Sequence, residues 1–307
     1  MHDLPPAAEP PRSPPATATP VGVVTAVGAG PEGVVADPAT GLVAVGLRDP
    51  AALALVDGAS GRVRRRVALP GAARHLALAR PGGPVLAPAE PAGRLVEVTL
   101  RGERAEHDVR VGLQPHDAAP VAGGVVVANE RANTLSLIRG GRVAASVRVA
   151  TQPGGVAPLD GGARVAVVSV RERVLELYDA RSLRRLARVP AGVGPTHVTC
   201  LDQGRCYVVD TQGGALLVFS LRPRLELVRR VFLPGGPYGI ALDAARRRLY
   251  VTLPARNELV ELPAHGRPHV LRRWPAVRQP DSVAVDERTG RVFVTGRADG
   301  VLQRLTP

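Results

Sequence analysis

The fold is decided by four short apolar runs that follow one another in the chain: Tyr238-Gly-Ile-Ala-Leu-Asp243, Arg248-Leu-Tyr-Val-Thr252, Glu258-Leu-Val-Glu-Leu262 and His269-Val-Leu-Arg-Arg273. Each run has the length of a β-strand, and residues that favour turns lie between the runs. Apolar side chains do not recur with the 3.6-residue period of a helix. The segment therefore predicts one sheet of four hairpin-connected strands.

The same layout recurs along the chain at intervals of about 42 residues. Each copy begins with a turn that resembles Gly-x-Pro, followed by a short apolar strand, at Pro31, Ala73, Pro115, Pro153, Pro195, Pro237 and Pro280. Four strands in a repeat of this length form one propeller blade. We therefore predict an all-β fold for residues 21–307, a seven-bladed β-propeller of four-stranded blades.

The last blade is one strand short in this reading. The seventh copy ends at Leu305-Thr-Pro307 after its third strand, whereas an unassigned strand, Val21–Val27, precedes the first copy. A three-stranded blade would leave an unprotected edge. We therefore predict that Val21–Val27 supplies the outer strand of blade 7 and pairs with the strand near Gly300–Leu305.

Residues 1–20 differ in composition from the repeats. Their proline density favours an extended, solvated spacer, so we predict a disordered tail or linker. A basic segment followed by an apolar one is absent, so no signal peptide can be read from Met1. A proline-rich tether before a β domain is nevertheless common in exported proteins, which suggests an extracytoplasmic location.

Composition restricts the class of partner. The chain has a formal net charge of +13 and 45% hydrophobic residues, and all of its 40 basic residues are Arg. No apolar run approaches the roughly 18 residues of a transmembrane helix, so we expect a soluble protein, and we expect it to be monomeric. The arginines fit GC-rich codon usage and protection of the outer strand edges. With only eight aromatic residues for base stacking, nucleic acid is an improbable partner.

The second strand of several blades carries a family signature. Tyr250-Val-Thr-Leu253, Phe293-Val-Thr-Gly296, Tyr207-Val-Val-Asp210 and Val126-Val-Ala-Asn129 are imperfect copies of one tetrapeptide. Over residues 21–307 the chain thus resembles the YVTN/YncE-like (NHL-like) seven-bladed β-propellers. Some of these relatives are lactonases or metal-dependent lyases that use His, Glu or Arg at one face. No complete catalytic motif matches, so the resemblance implies the fold and assigns no catalytic residue.

Polar residues cluster where the innermost strand of each blade starts. These starts and the loops between second and third strands surround one mouth of the central channel, which we call the upper face. Candidate ligand-binding residues at the starts are Glu32, Arg74, His75, His116, Asp117, His197, Tyr238 and Asp281. The three histidines suggest a divalent-metal site or an acid–base pocket. The alternative interpretation is the polar lining of a hydrated channel.

The loops of the upper face add arginines, among them Arg131 and Arg256. A cationic crown of this kind would bind phosphate, carboxylate or an acidic partner. The acidic residues interspersed in the same loops support a second interpretation, in which the loops form a solvated rim of mixed charge.

Two function hypotheses follow. The first is a non-catalytic binding or scaffold protein whose upper face and channel mouth take an unidentified small molecule or protein. The alternative is a metal-dependent hydrolase or lyase, similar to the lactonases, with a central His/carboxylate site. The sequence contains no Walker loop, nucleophile elbow, His-Glu-x-x-His or dinucleotide fingerprint, which excludes those enzyme types.

Cys200 and Cys206 flank the first hairpin of blade 5. By alignment with Leu242 and Leu249 of blade 6, the two thiols replace a cross-strand pair on one face of the sheet. The sequence allows a disulfide bond or two free buried thiols, and it does not decide between them.

Overall fold

The computed structural model describes residues 4–101, 105–202 and 204–307. Within these ranges seven antiparallel sheets of four strands each are present. The innermost strands of successive sheets contact one another in a closed ring. The predicted all-β, seven-bladed propeller is therefore confirmed.

Strand bounds follow the repeat. Blade 1 contains β2 (Pro31–Ala36), β3 (Leu42–Arg48), β4 (Ala51–Asp57) and β5 (Val63–Ala68). Blade 2 contains β6 (Ala77–Leu78), β7 (Val85–Ala89), β8 (Arg94–Val98) and β9 (Ala105–Arg110). Blade 3 contains β10 (Pro115–Val121), β11 (Gly124–Asn129), β12 (Thr134–Arg139) and β13 (Arg142–Arg148). Blade 4 contains β14 (Pro153–Leu159), β15 (Arg164–Ser169), β16 (Val174–Asp179) and β17 (Arg185–Pro190).

The other three blades have the same order. Blade 5 contains β18 (Pro195–Leu201), β19 (Arg205–Asp210), β20 (Ala215–Ser220) and β21 (Glu226–Phe232). Blade 6 contains β22 (Ile240–Asp243), β23 (Arg248–Leu253), β24 (Glu258–Pro263) and β25 (Arg272–Pro275). Blade 7 contains β26 (Pro280–Asp286), β27 (Arg291–Gly296), β28 (Val301–Leu305) and, from the other end of the chain, β1 (Val23–Ala26).

The core lies between the blades, which explains the uninterrupted apolar runs. In β20, Leu217 and Phe219 pack into a cluster shared with blade 4. Leu216 and Val218, which point to the other face of the strand, pack into a cluster shared with blade 6. A strand covered on both faces needs apolar side chains at every position. Each large side chain buried in this way contributes about 1.5–3 kcal/mol to stability.

Blade 7 is closed by both ends of the chain, as predicted. β1 pairs antiparallel with β28, from Val23 opposite Arg304 to Ala26 opposite Val301. Val27, just after β1, is fully buried between blades 7 and 1. The Gln303 side chain donates to the carbonyl oxygen of Val21 at 2.7 Å. This pairing leaves β28 without a free edge.

Several strand bounds differ from the sequence prediction, among them the inner strand of blade 6, which begins at Ile240 instead of Tyr238, and the closing strand, which is Val23–Ala26 instead of Val21–Val27. The outer strand of blade 6 begins at Arg272 instead of His269, because Pro268 offers no backbone donor and Gly266 turns the chain with a positive φ. The inner strand of blade 2 is only Ala77–Leu78. Pro81 and Pro84 follow it closely. Pro84 lacks the backbone N–H that would extend the ladder beyond Leu78.

Cys200 and Cys206 face each other across β18 and β19 and form a disulfide bond, one of the two states that the sequence left open.

Several outer-strand arginines have carboxylate partners; Arg185, for example, contacts the buried Glu176 at 2.9 Å. No helix in the described part of the chain is long and apolar enough to cross a membrane.

The proline-rich segment before β1 packs on the propeller. Its composition alone predicted a solvated spacer. Residues 4–20 contain neither helix nor strand, but Ala8 is buried and the Ser13 backbone N–H donates to the side chain of Gln279 at 2.9 Å. The segment thus lies against the upper face.

Closure of blade 7 gives a prediction about two truncations. Deleting residues 1–28 removes β1 and the buried Val27, and we expect the melting temperature to fall by more than about 10 °C. Deleting residues 1–18 keeps β1 and should lower it by at most about 3 °C. Differential scanning calorimetry measures both values, and equal melting temperatures would contradict closure by β1.

Candidate functional site

Three histidines from blades 2, 3 and 5 meet at the channel mouth. His116 and His197 lie near the starts of β10 and β18, where the ladder register shifts beside each of them. Such bulges bend a strand locally and re-aim its side chains. His75 precedes the short strand β6. The repeat thus brings residues that lie one or two positions after the anchor residues of distant blades around one axis.

The three imidazoles form a compact cluster. The ring centroid of His75 lies 4.5 Å from that of His116 and 4.6 Å from that of His197. The Nε2 atoms of His75 and His197 are 3.1 Å apart. One nitrogen from each ring can be chosen so that all three lie within 4.8 Å of one another. His116 and His197 are buried, and His75 is partly exposed.

Partners outside the cluster fix the orientation of two rings. His116 Nδ1 is 2.7 Å from the Glu90 carboxylate. His197 Nδ1 donates to the carbonyl oxygen of Tyr238 at 2.9 Å. Because a carboxylate and a carbonyl oxygen accept hydrogen bonds, each Nδ1 carries the proton. In its neutral form each of these two rings therefore carries its lone pair on Nε2, and that of His197 accepts a hydrogen bond from His75 Nε2 at 3.1 Å.

The histidines differ in their affinity for protons. Burial, reinforced by His116, His197 and Arg74, holds the pKa of His75 well below its ordinary value. Burial and the charge of His116 lower the pKa of His197 to about 3. Burial also opposes protonation of His116, but its bond to Glu90 and the charge of Glu130 outweigh burial and raise its pKa. His75 and His197 are consequently neutral at pH 7.

Arg74 and Tyr238 border the cluster. The Arg74 guanidinium donates to the Tyr238 hydroxyl at 3.2 Å, and the Tyr238 ring meets the His197 ring edge-on with centroids 4.5 Å apart. Burial, partly offset by Arg74, raises the pKa of Tyr238. Tyr238 therefore keeps its proton and acts as a neutral wall of the site.

Glu32 and Asp281, predicted as oxygen ligands, are held by arginines. Arg297 lies 3.2 Å from Glu32 and 3.4 Å from Asp281. Arg48 contacts Glu32 at 2.8 Å. With His75, these two carboxylates line a small depression beside the cluster. Glu32 is thus charge-paired, which makes it a poor additional ligand for a cation.

A cavity of about 170 Å³ continues the channel past the histidines. His75, His197, Asp117 and Asp281 lie on its wall, together with apolar side chains of the innermost strands. Burial raises the pKa of Asp117 to about 6, against the opposing bonds from the backbone N–H groups of Val156 and Ala118. Burial likewise raises the pKa of Asp281 to about 6. The channel is large enough for several waters or a small solute.

The two predicted loop arginines occupy different places. Arg131 lines a recess of about 390 Å³ on the upper face, next to Arg74 and Arg171. Arg256 lines a separate recess of about 140 Å³ beside Trp274, and none of the three histidines lines this recess. Arg131 is therefore a neighbour of the site, whereas Arg256 is not.

Sequence reasoning missed Glu90, which orients His116. Glu90 begins a short 3-10 helix, Glu90–Ala92, directly after β7. Glu130 follows β11 in the same way and lies 3.6 Å from the same histidine. Aligning the ends of the second strands would have shown that blades 2 and 3 each place a carboxylate at this position.

Solved structures with the same fold include very different proteins. Hydrazine synthase of Kuenenia stuttgartiensis has a TM-score of 0.80 and 13% identity, with 91% of this chain and 96% of that chain covered. The Cps50 (Swd1) β-propeller domain of Myceliophteria thermophila has a TM-score of 0.79 and 11% identity, covering 93% and 100%. Streptogramin B lyase has a TM-score of 0.78 and 10% identity, covering 93% and 98%.

At these identities the likeness shows the fold alone. No protein-family model matches the chain, and neither does any curated protein. The protein is a seven-bladed β-propeller, and the narrower YVTN/YncE-like assignment stays a prediction. The fold is compatible with a binding or scaffolding role, and the site must supply the argument for anything more specific.

Proposed function

We propose that this propeller is a binding protein whose channel mouth holds one divalent transition-metal ion on the Nε2 atoms of His75, His116 and His197. The observation that carries the proposal is the pairing of both Nδ1 atoms, His116 with Glu90 and His197 with the Tyr238 carbonyl. Histidines that bind metals almost always donate their second ring N–H to such an acceptor.

The spacing of the nitrogens fits a metal with imidazole ligands. Zn–N bonds of about 2.0–2.1 Å in a tetrahedron place two ligand nitrogens about 3.3 Å apart. The Nε2 atoms of His75 and His197 are already 3.1 Å apart. All three ligand nitrogens lie within 4.8 Å of one another, so an inward movement of a ring by at most about 1.5 Å brings them to this spacing. Three imidazoles favour Zn²⁺ or Cu²⁺ over Mg²⁺ or Ca²⁺, which prefer oxygen ligands.

Nearby charges are balanced enough for a cation. The positive charge of Arg74 disfavours a bound cation. The carboxylates of Glu90 and Glu130, however, lie 2.7 and 3.6 Å from His116 Nδ1. The Glu130 carboxylate is held in place by the side-chain amides of Gln114 and Gln152. These two carboxylates offset the positive charge of the guanidinium and the ion.

Removal of any ligand should abolish tight binding. We expect the full chain to bind Zn²⁺ with a stoichiometry of one, and His116→Ala or His197→Ala to weaken binding at least 100-fold, because two imidazoles hold a metal poorly. Isothermal titration calorimetry and elemental analysis after equilibrium dialysis measure this. His269→Ala, which removes an exposed histidine, is the matched control. Equal affinity of all three variants would refute the site.

Glu90→Gln tests the orienting bond separately. Its amide retains the size of the side chain but loses the charge, and the loss of such a partner typically costs about 10–100-fold in metal affinity. We expect a decrease in that range with unchanged stoichiometry. Glu97→Gln, on the neighbouring strand β8, should have no effect because Glu97 contacts the exposed His107. A Glu90 variant that binds Zn²⁺ as tightly as the original chain would contradict the orienting role.

A second candidate function is metal-dependent hydrolysis or lyase chemistry, favoured by the carboxylates on the cavity wall next to His75 and His197. A bound divalent ion would supply Lewis acidity, and Asp281 would accept a proton from the attacking water. We then expect Zn²⁺-dependent hydrolysis of the lactone dihydrocoumarin, and at least a 100-fold lower kcat in Asp281→Asn with Zn²⁺ retained. Without turnover by the metal-loaded protein, only the binding role is left.

A further inference from the structure

The segment of residues 4–14 crosses the upper face from blade 4 to blades 6 and 7. At one end, Arg171 donates to the carbonyl oxygens of Leu4 at 2.7 Å and Pro5 at 3.0 Å. In the middle, Ala8 is 5% exposed, and the Glu9 carboxylate lies 3.4 Å from Arg74. The path thus passes directly over the channel mouth.

The other end of the segment is held by the loops of blades 6 and 7. Gln279 donates to the carbonyl oxygen of Pro11 at 3.1 Å, and its side-chain oxygen accepts from the Ser13 N–H at 2.9 Å. The Ser13 hydroxyl donates to the carbonyl oxygen of Pro254 at 2.6 Å. Asn257 donates to the carbonyl oxygen of Pro14 at 3.0 Å. The segment is therefore anchored on both sides of the mouth.

Most of these bonds go to the backbone of the segment. An extended proline-rich chain makes no internal hydrogen bonds, so its carbonyl oxygens are free for a partner. Side chains that donate to such carbonyls recognise the extended conformation of a peptide more than its sequence. Arg171, Gln279 and Asn257 act in this way here, on three different loops. This arrangement is that of a peptide-binding surface with a peptide in it.

The segment also leaves almost no space above the histidines. Ala8 and Glu9 border a gap of about 10 Å³ together with Arg74, His116 and His197. A volume of this size holds about one water molecule. Any partner that bound the same face would have to displace the segment first.

We propose that the upper face is a binding site for an extended, proline-rich peptide and that residues 4–14 occupy it as an intramolecular ligand. The natural partner is then a proline-rich segment of another protein that competes with residues 4–14. Because the competing segment is tethered, it acts at an effective concentration in the millimolar range. The intact chain therefore binds such peptides weakly. This proposal does not depend on a metal, so its failure and that of the metal site are separable.

The test cuts the tether in the folded protein. Residues 14–19 are exposed, so a protease site placed there is accessible in the full chain. After cleavage and dialysis, a fluorescent peptide of residues 4–14 is titrated by anisotropy into cleaved and uncleaved protein. We expect saturable 1:1 binding to the cleaved protein and at least ten-fold weaker binding to the uncleaved one, where the tethered segment competes. The melting temperature of the cleaved protein verifies its fold.

Single substitutions then locate the binding site. Arg171→Gln should weaken binding to the cleaved protein at least ten-fold, because it removes two charge-assisted hydrogen bonds. A Glu9→Gln peptide should bind about two- to three-fold more weakly, as expected for an exposed ion pair. Arg229→Gln, on the outer strand β21, is the matched control and should change nothing. Absence of binding to the cleaved protein, or equal binding to both forms, would overturn the proposal.

Discussion

Antiparallel pairing of β1 with β28 is the constraint on which the rest of the molecule depends. The sheet of each blade packs against the sheets of its two neighbours, and the last sheet is completed only by a strand from the other end of the chain. The ring in turn fixes where the innermost strands start. His75, His116 and His197 are far apart in sequence, yet two of their nitrogens are 3.1 Å apart because three strand starts lie on one circle.

The repeat explains why so much of the site was predictable. A fixed interval between turn residues transfers the geometry of one blade to all seven, so the position after each anchor residue points to the same axis. His116 follows Pro115 by one residue and His197 follows Pro195 by two, and both reach the mouth. Arg256 shows the limit of this reasoning. It lies in the loop between β23 and β24, which has four residues as in blades 2 to 5 and 7, but the side-chain direction in such a loop is not set by strand alternation, and Arg256 lines a different recess.

The sequence did not predict the contact of Glu90 with His116 or the packing of residues 4–14 on the propeller. Glu90 reaches His116 from the four-residue loop after β7, where the repeat fixes the length of the loop but the identity of the side chain differs from blade to blade. Residues 4–14 have the composition of a solvated spacer, and they bury little apolar surface. Their contacts are bonds from Arg171, Gln279 and Asn257 to backbone carbonyls. Composition describes side chains, so it misses binding through the backbone.

The charges at the mouth raise the question of why the proposed metal ion would bind to His75 and His197, which are unprotonated at pH 7. Burial, His116 and Arg74 disfavour a proton on these two rings, and they disfavour a divalent ion for the same reason. A proton, however, binds to one nitrogen at a time, whereas a metal ion draws on three lone pairs together. Glu90 and Glu130 further reduce the electrostatic cost on the side of His116. In the proposed metal site, the number of converging lone pairs would favour a metal ion over a proton.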